Sequence, residues 1–245
     1  MPFRRRRNFR RRRAVTRRPR RNNTRRVSRK RRNNMIASIA KIPGLTLPDR
    51  LFVSMPFSYL STYTWTGSGL LTTSIYSGNN INDPSGTMGA LHPAGWPMYN
   101  TMYDIWRVYA SSITCKFMSA QDPTLPSTVR VAVIPVDNGT TPTITNINDW
   151  ISQKYAKFRV YNATTTFPTI RHRMGCAKIN GENRESVRDS DAYTSTFAAN
   201  PTGPTKGFNW YVVAQPLAST TMNISVQVRI IYNVELLQRK EQLQA

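Results

Sequence analysis

The sequence predicts an all-β domain behind a long cationic arm. Three observations lead to this prediction: short β-branched and aromatic segments are separated by Gly, Pro, Asn, Asp and Ser, helical periodicity is scarce, and basic residues crowd the N-terminus. The first 34 residues hold 18 of the 35 Lys and Arg residues and no acidic residue. The other 211 residues hold 17 basic and 12 acidic residues, which is +5 of the total net charge of +23. The two parts are therefore expected to have different roles.

Alternation of apolar and polar side chains predicts the strands. From Met222 to Ile230 every second residue is apolar, which is the pattern of a strand with one face on a core. Val129, Val131 and Val133 repeat this pattern up to Pro135. The other predicted strands are Leu51 to Tyr59, Leu70 to Tyr76, Trp106 to Met118, Lys157 to Tyr161, Pro168 to Met174, and Phe208 to Ala214, which ends at Pro216. Together these segments give about eight strands.

The connections between the strands decide the fold class. Ser77 to Gly95 and Asn180 to Lys206 are long and irregular, and short helices are expected around Trp96 to Tyr103 and Asn146 to Gln153. Because no predicted strand is followed by a crossover helix, a parallel α/β fold is disfavoured. The prediction is all-β: a single jelly-roll sandwich of about eight strands with long loops.

Changes in composition predict the organisation of the chain. Residues 1–34 form a disordered Arg-rich arm, because like charges repel and too few apolar residues are present to form a core. Residues 35–50 read as an extended connector, since Pro43 and Pro48 disfavour helix. Residues 51–245 are long enough for one sandwich domain.

The arm is predicted to bind nucleic acid. Its basic residues are arginines with one exception, and the planar guanidinium suits phosphate oxygens. Many phosphate contacts release counterions, which gives strong, salt-dependent binding without sequence preference. A nuclear localisation signal is a second use of such a basic cluster. The predicted binding residues are Arg4, Arg5, Arg6, Arg7, Arg10, Arg11, Arg12, Arg13, Arg17, Arg18, Arg20, Arg21, Arg25, Arg26, Arg29, Lys30, Arg31 and Arg32.

A second basic surface is predicted within the domain. Lys154, Lys157 and Arg159 are interleaved with Phe158 and other aromatic residues. Bases of single-stranded nucleic acid stack on such rings while cations contact phosphates. The alternative is that the rings fill the core and the cations point outward from alternate strand positions.

Motifs for chemistry are lacking. The sequence has no nucleophile elbow, zinc-ligand spacing, phosphate-binding loop or dinucleotide fingerprint. His92 is interpreted as a turn residue and His172 as a strand-surface residue, and Cys115 and Cys176 as buried thiols. No apolar segment is long enough to cross a bilayer. We therefore expect a protein that is not an enzyme, holds no cofactor or metal, and does not insert into membranes.

Three segments resemble capsid proteins of circoviruses and related small circular single-stranded DNA viruses. They are Met1-Pro2-Phe3-Arg4-Arg5-Arg6-Arg7, Leu47 to Val53, and Gly95 to Val108, in which a Gly-Trp turn precedes Trp106-Arg107-Val108. The resemblance implies a closed shell of about 60 identical subunits around a circular single-stranded DNA, with the arms inside. It also implies location in the virion and in the host nucleus during assembly, with a nuclear import receptor and a cell-surface receptor as further candidate partners. Lateral subunit contacts are expected at Trp96, Tyr99, Tyr103 and Trp150.

Three other functions fit parts of the sequence. A coat protein of a small RNA satellite virus would use the same fold and arm, because arginine contacts the same phosphate on either polymer. A cellular nucleic-acid-binding structural protein with a basic tail would usually spread its Lys and Arg through the globular part, which is nearly balanced here. An enzyme with a basic targeting tail would need catalytic groups that the sequence does not offer.

Overall fold

The computed structural model describes residues 48–65, 72–85, 91–119, 128–140, 147–162, 168–197, 203–216 and 222–240. The predicted arm and the connector up to residue 47 lie outside these ranges. Among the helices in these ranges, none combines the length and apolar character needed to span a membrane.

Nine strands make up most of the described residues. They are β1 (Arg50–Trp65), β2 (Thr72–Ser77), β3 (Tyr103–Ser119), β4 (Thr128–Asp137), β5 (Lys157–Asn162), β6 (Thr169–Gly175), β7 (Thr194–Thr196), β8 (Phe208–Pro216) and β9 (Met222–Arg239). All eight predicted strands are confirmed, although Leu70 and Leu71 of the predicted second strand lie outside the described residues. The three-residue strand β7 was not predicted.

The strands form two antiparallel sheets. The order β1-β9-β3-β6, with β7 paired to β3, defines the first sheet, and the order β2-β8-β4-β5 defines the second sheet. The chain crosses between the sheets at most connections, so that strands adjacent in space are distant in sequence. This is the jelly-roll arrangement, and the predicted fold class is confirmed.

The core lies between the two sheets. It is built from the inward residues of every long strand, among them Phe117, Val131 and Val228, which have no exposed surface. Hydrogen bonds also link the sheets: Trp210 Nε1 donates to Ser111 Oγ at 2.9 Å across the sandwich. These two buried polar groups thus satisfy each other within the core.

The second sheet is also covered on its outer face. The helix α2 (Ile147–Ile151) packs on it, and the Trp150 ring centroid lies 4.9 Å from that of Tyr211. A second apolar cluster results, formed by Ala132, Ile134, Ile147, Trp150, Tyr211 and Val213. Apolar residues on both faces of β4 and β8 are explained by this second layer.

Both predicted helices are confirmed, and the described residues contain two further α-helices and the 3-10 helix Asp191–Tyr193. The helix α1 (Trp96–Met102) has Pro97 in its first turn, as expected, and α2 lies within the second predicted segment. The segment predicted as irregular after residue 180 also contains α4 (Arg184–Asp189), which Asn183 caps by accepting a hydrogen bond from the Ser186 N–H. The four-residue helix α3 (Cys176–Ile179) precedes it.

Several strands are longer than predicted: β1 continues to Trp65, β3 begins at Tyr103, and β9 continues to Arg239. The end of β4 also differs from the prediction. Strand β4 continues through Pro135 to Asp137 instead of stopping at the proline. Its pairing with β5 has ended at Val133, and Pro135 pairs with β8 alone. Because proline lacks an N–H, it is tolerated where a strand has a neighbour on one side.

Candidate nucleic-acid and assembly surfaces

The structure places only part of the predicted nucleic-acid-binding residues. The 18 predicted binding residues of the arm lie outside the described residues. The other three predicted binding residues, Lys154, Lys157 and Arg159, lie at the edge of the second sheet, on β5 and in the turn before it.

All three of these cations are exposed. The Lys154 Nζ lies 5.0 Å from the centroid of the Tyr155 ring, and the Lys157 Nζ donates to the main-chain carbonyl of Arg171 at 2.9 Å. The second contact connects β5 with β6, which are edge strands of different sheets. The basic edge of the second sheet therefore continues into the first sheet.

The aromatic residues of β5 divide between surface and core. Phe158 is 48% exposed, whereas Tyr161 is 7% exposed and its burial raises the pKa of the phenol to about 12. Phe158 is thus exposed, but strand alternation places it on the face of β5 opposite to Lys157 and Arg159. Tyr161 follows the alternative interpretation, in which the ring fills the core.

The predicted subunit-interface residues also divide. Trp96 and Tyr99 on α1 are partly buried, and the Trp96 ring stacks on His92 at a centroid distance of 3.8 Å. Tyr103 is fully buried, and its hydroxyl donates to the Pro48 carbonyl at 2.9 Å. Trp150, on α2, is 2% exposed and packs on the second sheet. The side chains of Tyr103 and Trp150 have no surface left for a neighbouring subunit, so the expectation does not hold for these two.

Sequence reasoning missed a set of cations on the outer face of the first sheet. Arg229 on β9, Thr114 on β3 and Arg171 on β6 lie in one row across the sheet. On the same face, Lys116 lies two residues along β3 from Thr114, and Arg173 lies two residues along β6 from Arg171. All four cations are exposed. A groove of about 750 Å³ over Arg229, Arg171 and Lys116 is walled on one side by the loop at residues 91–94.

The same sheet buries a charge cluster at its other end. Glu235 is 1% exposed and accepts from the Tyr109 hydroxyl at 2.7 Å and from Arg107 at 3.4 Å. A β-bulge at Tyr109 lets this side chain reach Glu235. Arg50 also approaches the carboxylate, with Nε at 3.6 Å from Oε1. Through these contacts the cluster links β1, β3 and β9.

The histidine and cysteine predictions had different outcomes. His172 is 9% exposed, faces inward, and has Nε2 at 2.6 Å from the Tyr155 carbonyl, so the prediction of a strand-surface residue was wrong. Alternation on β6 explains this, because the neighbours at 171 and 173 take the outer face. Cys115 and Cys176 are buried free thiols, as predicted. The described residues contain no group of His, Cys, Asp or Glu that could hold a metal ion.

The fold and surfaces together define a jelly-roll sandwich with exposed cations on one sheet and one edge. No protein-family model and no curated protein matches the chain.

Solved structures of virus coat proteins are similar to it. The BFDV capsid protein, crystallised as a 60-mer, is 12% identical and covers 81% of this chain and 100% of its own, with a TM-score of 0.45. The protein of the semi-empty particle of Macrobrachium rosenbergii nodavirus is 9% identical and covers 78% of this chain and 95% of its own, with a TM-score of 0.45. The protein of tobacco necrosis virus is 13% identical and covers 80% of this chain and 86% of its own, with a TM-score of 0.44. Because these TM-scores lie below 0.5, the similarity does not by itself assign a function.

Proposed function

We propose that this chain is a viral coat protein of the circovirus-like group, which assembles into a closed icosahedral shell and packages a circular single-stranded DNA. The observation that carries the proposal is the combination of a jelly-roll sandwich with an arm that holds 18 of the 35 basic residues and no acidic one. The two parts suit two tasks, self-assembly and binding of a polyanion.

The charge of the arm is of the size that packaging requires. About 60 subunits with one arm each bring on the order of a thousand positive charges into a closed shell. These charges can neutralise about as many phosphates, which is a large share of a genome of roughly one to two kilobases. In this proposal residues 1–34 bind the genome, residues 35–50 connect, and residues 51–245 form the shell.

Exposed apolar side chains supply candidate contacts between subunits. Phe158 is 48%, Val160 53% and Met98 54% exposed, and such residues lose contact with water when copies of the sandwich pack together. Trp96 and Tyr99 on the same helix as Met98 remain part of the proposed interface. The sandwich thus has apolar surface at β5 and at α1 for lateral packing.

The proposal includes where the protein acts. The assembled protein belongs to the virion, and the arginine clusters also serve nuclear import before assembly. A nuclear import receptor and a cell-surface receptor are the host partners in this proposal.

Electron microscopy of the full chain tests the assembly. We expect hollow shells about 20 nm across, from packing about 60 domains into a closed surface. Nucleic acid extracted from these shells should be digested by a nuclease specific for single-stranded DNA. A monomer at every protein and salt concentration would contradict the proposal, and RNA as the only packaged polymer in infected cells would identify an RNA virus instead.

Deletion of residues 1–34 tests the role of the arm. The remaining chain should fold and should not package a genome, because it keeps only +5 of the +23 net charge. Shells of the truncated chain with full genome content would refute the proposed role of the arm.

A further inference from the structure

The outer face of the first sheet carries cations that are far apart in the sequence. We propose that this face is a second phosphate-binding surface, which takes the backbone of single-stranded nucleic acid independently of the arm. The binding residues are Lys116, Arg171, Arg173 and Arg229. The inference rests on the function proposed above and adds a site on the shell domain itself.

The strand register sets the spacing of these cations. Arg229 and Arg171 are two strands apart in one row, and Lys116 and Arg173 lie one row to either side of Arg171. Strands lie about 4.8 Å apart and alternate residues about 7 Å apart along a strand, so neighbouring cations are separated by roughly 7–10 Å. An ordered grid of this kind can contact successive phosphates of one chain.

Among the described residues, no acidic side chain neutralises the charge of this face. None of the four cations forms an ion pair with a described residue. The carboxylate of Glu235, on the same face, is buried and bound by Arg107 and Tyr109. Four exposed charges without a counterion partner favour a polyanion over a neutral ligand.

Between the cations the face offers further hydrogen-bond donors. Backbone positioning on nucleic acids uses Ser, Thr and Gln side chains together with Arg and Lys. The small polar residues of the face are Ser58, Ser112, Thr114, Thr169 and Gln227. At the rim of the face, Leu60 and Leu91 are 58% and 40% exposed and can contact the bases. The groove of about 750 Å³ over this face gives the polymer a defined path.

Two other occupants fit less well. The arm of the same chain has 18 cations and no acidic residue, so it offers no opposite charge to this face. A second copy could offer the acidic group at residues 182–191, but Glu182 is bound by Lys206 at 3.0 Å and Asp189 by Arg188 at 2.8 Å. Two of its four carboxylates are thus paired before any copy approaches, and Arg184 adds a further positive charge within the group.

The surface is continuous with the basic edge that the sequence predicted. The Lys157 Nζ contacts the Arg171 carbonyl, which brings the side of β5 against β6. A strand of nucleic acid that leaves the sheet face at Arg171 therefore meets Lys157 next.

The test compares two full-length variants that lose the same charge. The face variant is K116Q/R171Q/R173Q/R229Q. The control variant is R130Q/R188Q/K206Q/K240Q, whose four cations already have protein partners in Asn148, Asp189, Glu182 and Asp104. Binding of labelled dT30, rU30 and polyglutamate is measured between about 50 and 400 mM NaCl, and circular dichroism checks that both variants are folded.

The salt dependence of binding decides the outcome. Since each phosphate contact on a single strand contributes about 0.7 to the slope of log K against log salt, the face variant should lose about 3 from the slope and the control less than 1. The same loss on dT30 and rU30 supports recognition of the shared phosphate, and loss on one polymer alone would overturn it. Equal slopes for both variants would overturn the proposal.

A second measurement uses the unmodified protein, so the proposal does not depend on the variants folding. Ultraviolet cross-linking to dT30 followed by peptide mapping should give cross-linked peptides from β3, β6 and β9 in addition to the arm. Cross-links confined to residues 1–34 would contradict the inference and leave the proposed function intact. Loss of shells by the face variant with unchanged binding would assign the face to a second copy and overturn the inference.

Discussion

The two sheets share one core and differ on their outer faces. The second sheet carries apolar outer residues, which α2 covers at Trp150, and it exposes Phe158 and Val160 beside this cover. The first sheet carries Ser, Thr and Gln between exposed arginines and a lysine. Covering apolar surface with another protein surface lowers the free energy, because the apolar groups leave water. A cationic polar surface is instead stabilised by binding a polyanion. In the proposed function, this difference assigns the second sheet to protein contacts and the first sheet to nucleic acid.

The largest expected effect comes from the cover of the second sheet. Trp150→Ala should lower the free energy of unfolding by about 3–5 kcal/mol, because the variant loses a buried aromatic ring and the packing of α2 on the second sheet. Gln227→Ala, on the open face of the first sheet, should change it by less than about 0.5 kcal/mol. Urea denaturation measures both. Similar values for the two variants would mean that the outer faces do not differ in this way.

The buried carboxylate of the first sheet should give the next effect. Glu235→Ala leaves Arg107, 4% exposed, without its partner, and breaking such a buried pair costs about 3 kcal/mol. Lys206→Ala removes an exposed pair and should have a much smaller effect, because solvent screens that pair. Urea denaturation measures the change in the free energy of unfolding for both variants, provided that the dependence of this free energy on urea concentration stays the same. A small effect of Glu235→Ala would mean that solvent reaches the cluster.

The two faces of β6 predict a smaller effect that depends on pH. Burial lowers the pKa of the inward His172 below the usual 6.5, while the unfolded chain keeps the usual value. The unfolded state then binds more protons below about pH 6.5, so stability falls as the pH drops through this window, down to the folded-state pKa. His172→Gln keeps a donor for the Tyr155 carbonyl and does not titrate. The loss of stability between pH 7.5 and 5.5 should be smaller in this variant, measured by thermal unfolding, and an equal loss would exclude His172 as its source.

The thiols test whether the inner side of the first sheet is closed. Burial raises the pKa of Cys176 to about 12 and that of Cys115 still further above its usual range. Neither thiolate is populated at neutral pH, so a thiol reagent should leave both unmodified in the native protein and modify both in urea. Labelling of Cys115 without unfolding would show that the sandwich opens.

The strands could be predicted from the sequence because their signal is local. Alternation in segments such as Met222 to Ile230 follows from one face meeting the core, and each such segment is a strand in the structure. The short helices α3 and α4 have four and six residues, too few for a periodic pattern to stand out.

The surfaces could be predicted less well because their signal is not local. Arg229 and Arg171 are neighbours only through the pairing of β9 with β3 and of β3 with β6, which no alternation pattern specifies. Trp150 is predicted at a subunit contact, whereas the structure places it in the apolar cluster between α2 and the second sheet. The continuous apolar run from Val131 to Val136 was the available signal that the second sheet is covered on both faces.

The division into a nucleic-acid-binding arm and a self-assembling sandwich is tested most directly by the mass of native particles of the full chain. A closed shell of about 60 copies of a 28.0 kDa chain has a protein mass of roughly 1.7 MDa, and packaged nucleic acid adds to it. The account predicts this mass, with the added part lost when residues 1–34 are deleted. A particle of 28.0 kDa at every ionic strength, with or without single-stranded DNA, would contradict it.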